Sequence, residues 1–178
     1  VFFMYRRKQE KLFCIGEPIG NPKYFKEALE DFLKTADLYG FEPVFYDIDQ
    51  DFTLLLHEYG YDFLQIGEKG LVDLEKFNLH GEKHHNQRAL INRFANDGYV
   101  LDFLKPPYSE ELLSEMRKVS DDWLSNRTEK GFSVGFFDEY YLEQGSLMTL
   151  RDSSGKLKAF SSIMPRKHGV VSTDLMRY

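Results

Sequence analysis

Cysteine is nearly absent from this sequence: Cys14 is the only one among 178 residues. No internal disulfide framework and no multi-cysteine zinc site can form, which fits a reducing compartment. Flanked by Leu12, Phe13 and Ile15 and without an evident histidine partner, Cys14 reads as an inert core thiol. Long apolar runs are missing too. The best candidates, residues 1–5 and 54–56, stop at charged or polar residues far short of the ~18 needed to cross a bilayer. Neither a G-x-G-x-x-G nor an H-E-x-x-H string occurs, and GEPIG at 16–20 lacks the Gly-Lys-Ser/Thr ending of a phosphate loop. Basic excess is also lacking. Residues 1–104 carry 12 Lys/Arg against 18 Asp/Glu and residues 105–178 carry 11 against 11, so neither half reads as an autonomous nucleic-acid binder. The apolar start precedes Arg6-Arg7-Lys8 and the first residue is Val1, so there is no signal-peptide pattern. The chain is expected to begin inside a longer protein.

What is present is a strand-and-helix alternation rich in aromatics, with sixteen Phe and eleven Tyr that are expected mainly to fill cores. Residues 2–5 and 12–15 read as a hairpin around a charged turn. Asn21-Pro22 caps a helix whose apolar positions, Phe25, Ala28, Leu29, Phe32, Leu33 and Ala36, recur at helical spacing up to Gly40. A strand over 44–48, a short helix over 51–59, a strand over 61–66 with 71–74 beside it, a helix over 82–96 and a strand over 99–104 follow. Pro106-Pro107 marks the expected domain join, giving units 1–105 and 106–178. Ser109 then caps a helix with Glu110 and Glu111 in its first turn and a core face of Leu112, Leu113, Met116, Val119, Trp123 and Leu124. A hairpin over 147–151 and 157–163 and a last strand from about 170 complete the reading. Antiparallel pairing in each half favours the α+β class over a doubly wound parallel sheet.

Few side-chain constellations suggest chemistry. His80, His84 and His85 have suggestive spacing but no cysteine or well-placed carboxylate to close a metal shell, so no metal is expected. Arg88 and Arg93, five apart, read as a solvated helix face. The nearest approach to the pyrophosphate loop of acyl-CoA acyltransferases, Arg166 to Val171, fails at its last position and lies between two strands, so no CoA is expected.

A family resemblance is carried by DFLKPP at 102–107, SEELLSEMRKVSDDWL at 109–124, EKGFSVGFFDEYYL at 129–142, AFSSIMP at 159–165 and STDLMRY at 172–178. CIGEPIG, LVDLEKFNLHGEK and RALINRFANDGY extend it over almost the whole chain. The sequence resembles the cytosolic catalytic region of bacterial phosphatidylglycerol lysyltransferases, the multiple peptide resistance factors. The resemblance implies two tandem GNAT-like (acyl-CoA N-acyltransferase-fold) units, the second incomplete, at the cytoplasmic face of the bacterial membrane. It also implies transfer of a lysyl or alanyl group from aminoacyl-tRNA, as co-substrate, to phosphatidylglycerol, with resistance to cationic antimicrobial peptides as the outcome. No resident cofactor is implied.

Asp174 and Arg177 match positions that the family uses in its active site. The carboxylate would hold an ammonium of the donor and the guanidinium would face phosphate or carbonyl oxygen. Three residues apart, they point to opposite faces of a flat strand, so convergence requires a β-bulge. Two rival readings stand beside this one: a noncatalytic tandem module, and a tRNA-dependent peptide ligase acting on cell-wall precursors. The isolated chain is expected to be catalytically silent and to bind tRNA weakly.

Overall fold

The computed structural model describes residues 1–132, 135–166 and 169–178. They fall into two compact units, Val1–Gly70 and Leu71–Tyr178.

In the first unit, β1 (Tyr5–Lys8) and β2 (Lys11–Ile15) form the expected hairpin, shifted into the charged run. A parallel partner, β3 (Glu42–Tyr46), lies on the other side of β2 and is reached through α1 (Phe25–Leu38). Parallel neighbours need such a crossover. Asn21 accepts a hydrogen bond from the Lys23 amide and Pro22 opens a 3-10 turn that leads into α1. At its far end Gly40 takes φ +68°, letting the Phe41 amide return to the Ala36 carbonyl at 2.8 Å. Asp49 caps α2 (Gln50–Glu58) through the Phe52 amide at 3.1 Å. Leu29, Phe52 and Leu56 are the buried centre, with Phe3, Phe45 and Tyr61 packed around them. The aromatics here fill a core. Cys14 is 1% exposed, and burial pushes its thiol up to about 12.

Residues 61–66 and 71–74 do not form the expected strands. Their apolar alternation lacks a paired neighbour; the Tyr61 amide instead returns to the Leu56 carbonyl at 3.3 Å and its ring packs on Phe45.

In the second unit a 3-10 turn at Glu82–His84 runs into α3 (His85–Asn96), followed by β4 (Val100–Leu104). The sheet order is β4, β5 (Ser146–Arg151), β6 (Leu157–Pro165), β7 (Val171–Arg177), antiparallel throughout. Because β4 is hydrogen-bonded to β5, it belongs with residues beyond Pro106-Pro107, and the compact units divide at Gly70 rather than at the prolines. Helix α4 (Glu110–Leu124) starts at Ser109, whose Oγ accepts from the Leu112 amide at 3.2 Å. A short α5 (Glu139–Leu142), not foreseen from periodicity, is capped by Asp138. Leu112, Met116, Leu142, Leu147, Leu157, Phe160 and Leu175 make the core of this unit. Mixed helices and two sheets place the chain in the α+β class.

Candidate functional site

Strand β7 carries both expected site residues, and its pairing with β6 is irregular where they sit. Ile163 faces Thr173 and Ser161 faces Met176, so two steps along β6 match three along β7. The additional residue falls at Asp174-Leu175, opposite Ser162, whose Oγ accepts from the Leu175 amide at 2.9 Å. This is the β-bulge that convergence required. Leu175 goes fully into the core while Asp174 stays half-buried.

Asp174 is held by two groups from distant sequence. The Gly135 amide donates to both of its carboxylate oxygens, at 3.0 and 3.1 Å, and the Tyr141 hydroxyl donates to Oδ2. Tyr141 is placed by local chemistry: Asp138 caps α5 by accepting from the Tyr141 amide at 2.7 Å, which fixes the first turn. Burial first, then the hydrogen bond and charge of Asp174, push the Tyr141 phenol up, whereas Arg166 pulls the other way. Tyr141 therefore keeps its proton, and donates it, at neutral pH. A carboxylate has about four acceptor sites, so three accepted bonds leave Oδ1 capacity for an external donor.

Gly135 fits here because it lacks a side chain. A Cβ at that position would come 2.6 Å from Asp174 Oδ2 and 2.8 Å from Tyr141 Cε1.

Arg177 has different partners. Its guanidinium donates from Nη2 to Glu129 Oε1 at 2.5 Å, from Nε to Ser120 Oγ at 3.3 Å and from Nη1 to the Met176 carbonyl at 3.0 Å. It also lies over the Trp123 ring, 4.2 Å from the centroid, with Arg127 at 4.4 Å over the same ring. Only 5% of Arg177 is exposed. Among the described residues no hydrogen bond joins Asp174 to Arg177, so the simple strand-end ion pair does not form. Spacing in the sequence gave no signal for Gly135, Tyr141 or Glu129, although EKGFSVGFFDEYYL contains all three, and it marked Trp123 only as a core position of its helix.

Arg166, exposed beside this constellation, donates from Nε to Ser172 Oγ at 3.0 Å. Ser172 and Asp174, two apart and before the bulge is complete, share a strand face. The expected turn from Arg166 to Val171 includes Lys167 and His168, and the family string at 129–142 includes Ser133 and Val134; these four lie outside the described residues.

Other expected positions lie apart from these contacts. Arg88 is not a solvated residue: Nη1 donates to the Leu79 and Gly81 carbonyls at 2.5 and 2.7 Å, fastening α3 to the loop before it. The Arg93 side is exposed. His84 packs edge-on against Phe77, with ring centroids 6.0 Å apart. Among the described residues no group of three or more His, Cys, Asp or Glu is placed to hold a metal ion. A depression of about 400 Å³ beside α4 and β6, lined in part by Lys118, Lys156 and Lys158, includes neither Asp174 nor Arg177. Among the described residues no helix is long and apolar enough to cross a membrane.

The architecture is thus an α+β chain whose bulged strand presents an acceptor carboxylate and, three residues on, a buried arginine. The family model described as phosphatidylglycerol lysyltransferase, C-terminal, matches residues 1–178, and the chain belongs to that family. The phosphatidylglycerol lysyltransferase of Bacillus subtilis (strain 168) is 38% identical over 176 residues, covering 98% of this chain and 21% of its own. That of Staphylococcus xylosus is 36% identical over 178 residues, again covering 21% of the relative. The chain therefore spans about a fifth of the length of these curated relatives. The solved structure of L-PGS from Bacillus licheniformis superposes with TM-score 0.93 at 40% identity, covering 99% of this chain and 56% of that one. A C-terminal domain (DUF2156) from Agrobacterium fabrum gives TM-score 0.89 at 28% identity, with the same two coverages. These likenesses agree with the expected GNAT-like fold.

Proposed function

We propose that residues 1–178 form part of an aminoacyltransferase that moves a lysyl, or in the alternative an alanyl, group from charged tRNA to phosphatidylglycerol. The reaction is a transesterification. A glycerol hydroxyl of the lipid attacks the ester carbonyl carbon of the aminoacyl-tRNA, a new lipid ester forms, and the ester bond to the tRNA ribose breaks. The proton lost by the lipid hydroxyl ends on the ribose oxygen. Because the donor ester is already activated, alignment of the two substrates supplies much of the acceleration without a covalent enzyme intermediate or a resident cofactor.

In this reading Asp174 accepts a hydrogen bond from an ammonium of the aminoacyl group and so fixes its carbonyl for attack. Arg177, held by Glu129, Ser120 and the Met176 carbonyl, braces β7 three residues further on. Arg166 supplies positive charge near a site whose two substrates are both phosphodiesters. The enzyme works at the cytoplasmic face of the membrane, and its product carries less negative charge than phosphatidylglycerol, which weakens the attachment of cationic antimicrobial peptides.

The observation that carries the reading is the bulged β7, which presents Asp174 on the Gly135 amide and Tyr141 hydroxyl in a chain matched end to end by the family. The test uses the protein in its full natural length with labelled Lys-tRNA and Ala-tRNA. Label should pass to liposomes containing phosphatidylglycerol. Transfer to an amine of a cell-wall precursor instead would favour a peptide ligase, and transfer to neither acceptor would favour a noncatalytic module.

A further inference from the structure

The contacts of Arg177 differ in kind from those of a substrate-binding guanidinium. Of its five N–H donors, three are committed to Ser120, Met176 and Glu129, its flat face rests on Trp123, and 5% of the residue reaches solvent. Little of the guanidinium is left open to a phosphate or carbonyl oxygen.

Glu129 and Gly135 are six residues apart in the chain, and both attach to β7. Glu129 takes Arg177, while the Gly135 amide takes Asp174, three residues earlier on the strand. A third tie lies just beyond, where Arg117 of α4 donates to Glu139 at 2.7 Å and covers the Phe137 ring at 4.7 Å. The Glu129 and Gly135 attachments hold both residues to the same strand, at positions three apart along it.

We propose that Glu129 and Arg177 are a positioning pair for the transfer reaction: their ion pair anchors the chain that leads to Gly135, and so sets the orientation of Asp174. The pair acts through Asp174 and does not touch substrate. The kinetic part rests on the proposed function; the structural part stands without it.

Glu129→Gln keeps the shape and removes the charge. In residues 1–178, amide hydrogen exchange at Gly135 should accelerate by about tenfold or more, because the second attachment is lost while the first opens more often. In the full-length protein the same variant should lower kcat by about fivefold or more while KM for Lys-tRNA and for phosphatidylglycerol changes by less than about twofold. Unchanged exchange at Gly135 overturns the proposal. A rise in KM with kcat intact also overturns it, since that would place the pair in contact with substrate. If the wild-type protein transfers nothing, the proposed function fails and the exchange measurement alone decides the positioning role. Glu129→Asp, which retains the charge and shortens the arm, gives the same two readouts should the glutamine variant not fold.

Discussion

Replacing Gly135 with alanine is the sharpest perturbation that the site offers, since it adds one methyl group at a known distance from two known atoms. The new Cβ would sit 2.6 Å from Asp174 Oδ2 and 2.8 Å from Tyr141 Cε1, where ordinary contacts begin at 3.4 Å. One side must therefore retreat by 0.8 Å (3.4 − 2.6) from the carboxylate and 0.6 Å (3.4 − 2.8) from the ring. Neither neighbour gives way cheaply. Asp174 is tied to the bulge of β7, and Tyr141 sits in the capped first turn of α5. Gly135 is outside the positive-φ range, so alanine brings no backbone strain and the effect isolates the clash. A retreat of 0.8 Å would stretch the 3.0 and 3.1 Å amide bonds beyond hydrogen-bond length. A hydrogen bond to a charged group contributes about 1.5–3 kcal/mol, so loss of stability of that order is expected in urea titration. If the same energy is lost from the transition state, transfer falls by about tenfold to 150-fold. Native stability together with wild-type transfer in Gly135→Ala would refute the close packing on which the site is built.

Tyr141→Phe removes the hydroxyl donor and should reduce transfer about tenfold. Because burial and Asp174 raise the Tyr141 phenol, its contribution to stability is complete below pH 10 and disappears as pH climbs through the higher folded value. Absorbance titration at alkaline pH should show one fewer late-ionising tyrosine in the variant, and a wild-type Tyr141 that ionises at or below its ordinary value would contradict this. Cys14, with its thiol pushed up to about 12, should resist disulfide reagents at pH 8 until the chain is unfolded, and rapid labelling of native protein would show that the β2 core is open. Met116→Ala, at a position without exposure, should cost about 2–5 kcal/mol in urea titration, and a loss below ~1 kcal/mol would mean that α4 is not packed as described.

Local rules located the helices that have local signals. Asn21-Pro22, Ser109 and the residues just inside each helix marked α1 and α4, and Gly40 and Gly98 marked ends where the chain turns with positive φ. Residues 61–66 show where the same reasoning runs out. Alternation selects a strand only if another strand accepts its hydrogen bonds, and Tyr61 is instead drawn into a helix end and an aromatic cluster. Pro106-Pro107 looked like a boundary because it stops regular structure, yet β4 before it and β5 after it pair between residues 43 to 51 positions apart, a relation that no local signal records. Asp174 and Arg177 came from the DLMRY string, and the need for a bulge followed from their spacing alone. Their partners are separated from them by 33 to 57 residues, so Tyr141, Gly135, Glu129 and Ser120 were visible only as residues of unassigned purpose.

Asp174→Asn in the full-length protein bears most directly on the site, because it removes the charge and keeps the size. With Lys-tRNA and phosphatidylglycerol liposomes, the rate should fall by at least about tenfold, equivalent to ~1.4 kcal/mol of barrier, while the fold survives. Wild-type turnover in that variant would mean that the chemistry is carried elsewhere and that the carboxylate on β7 is only a strut.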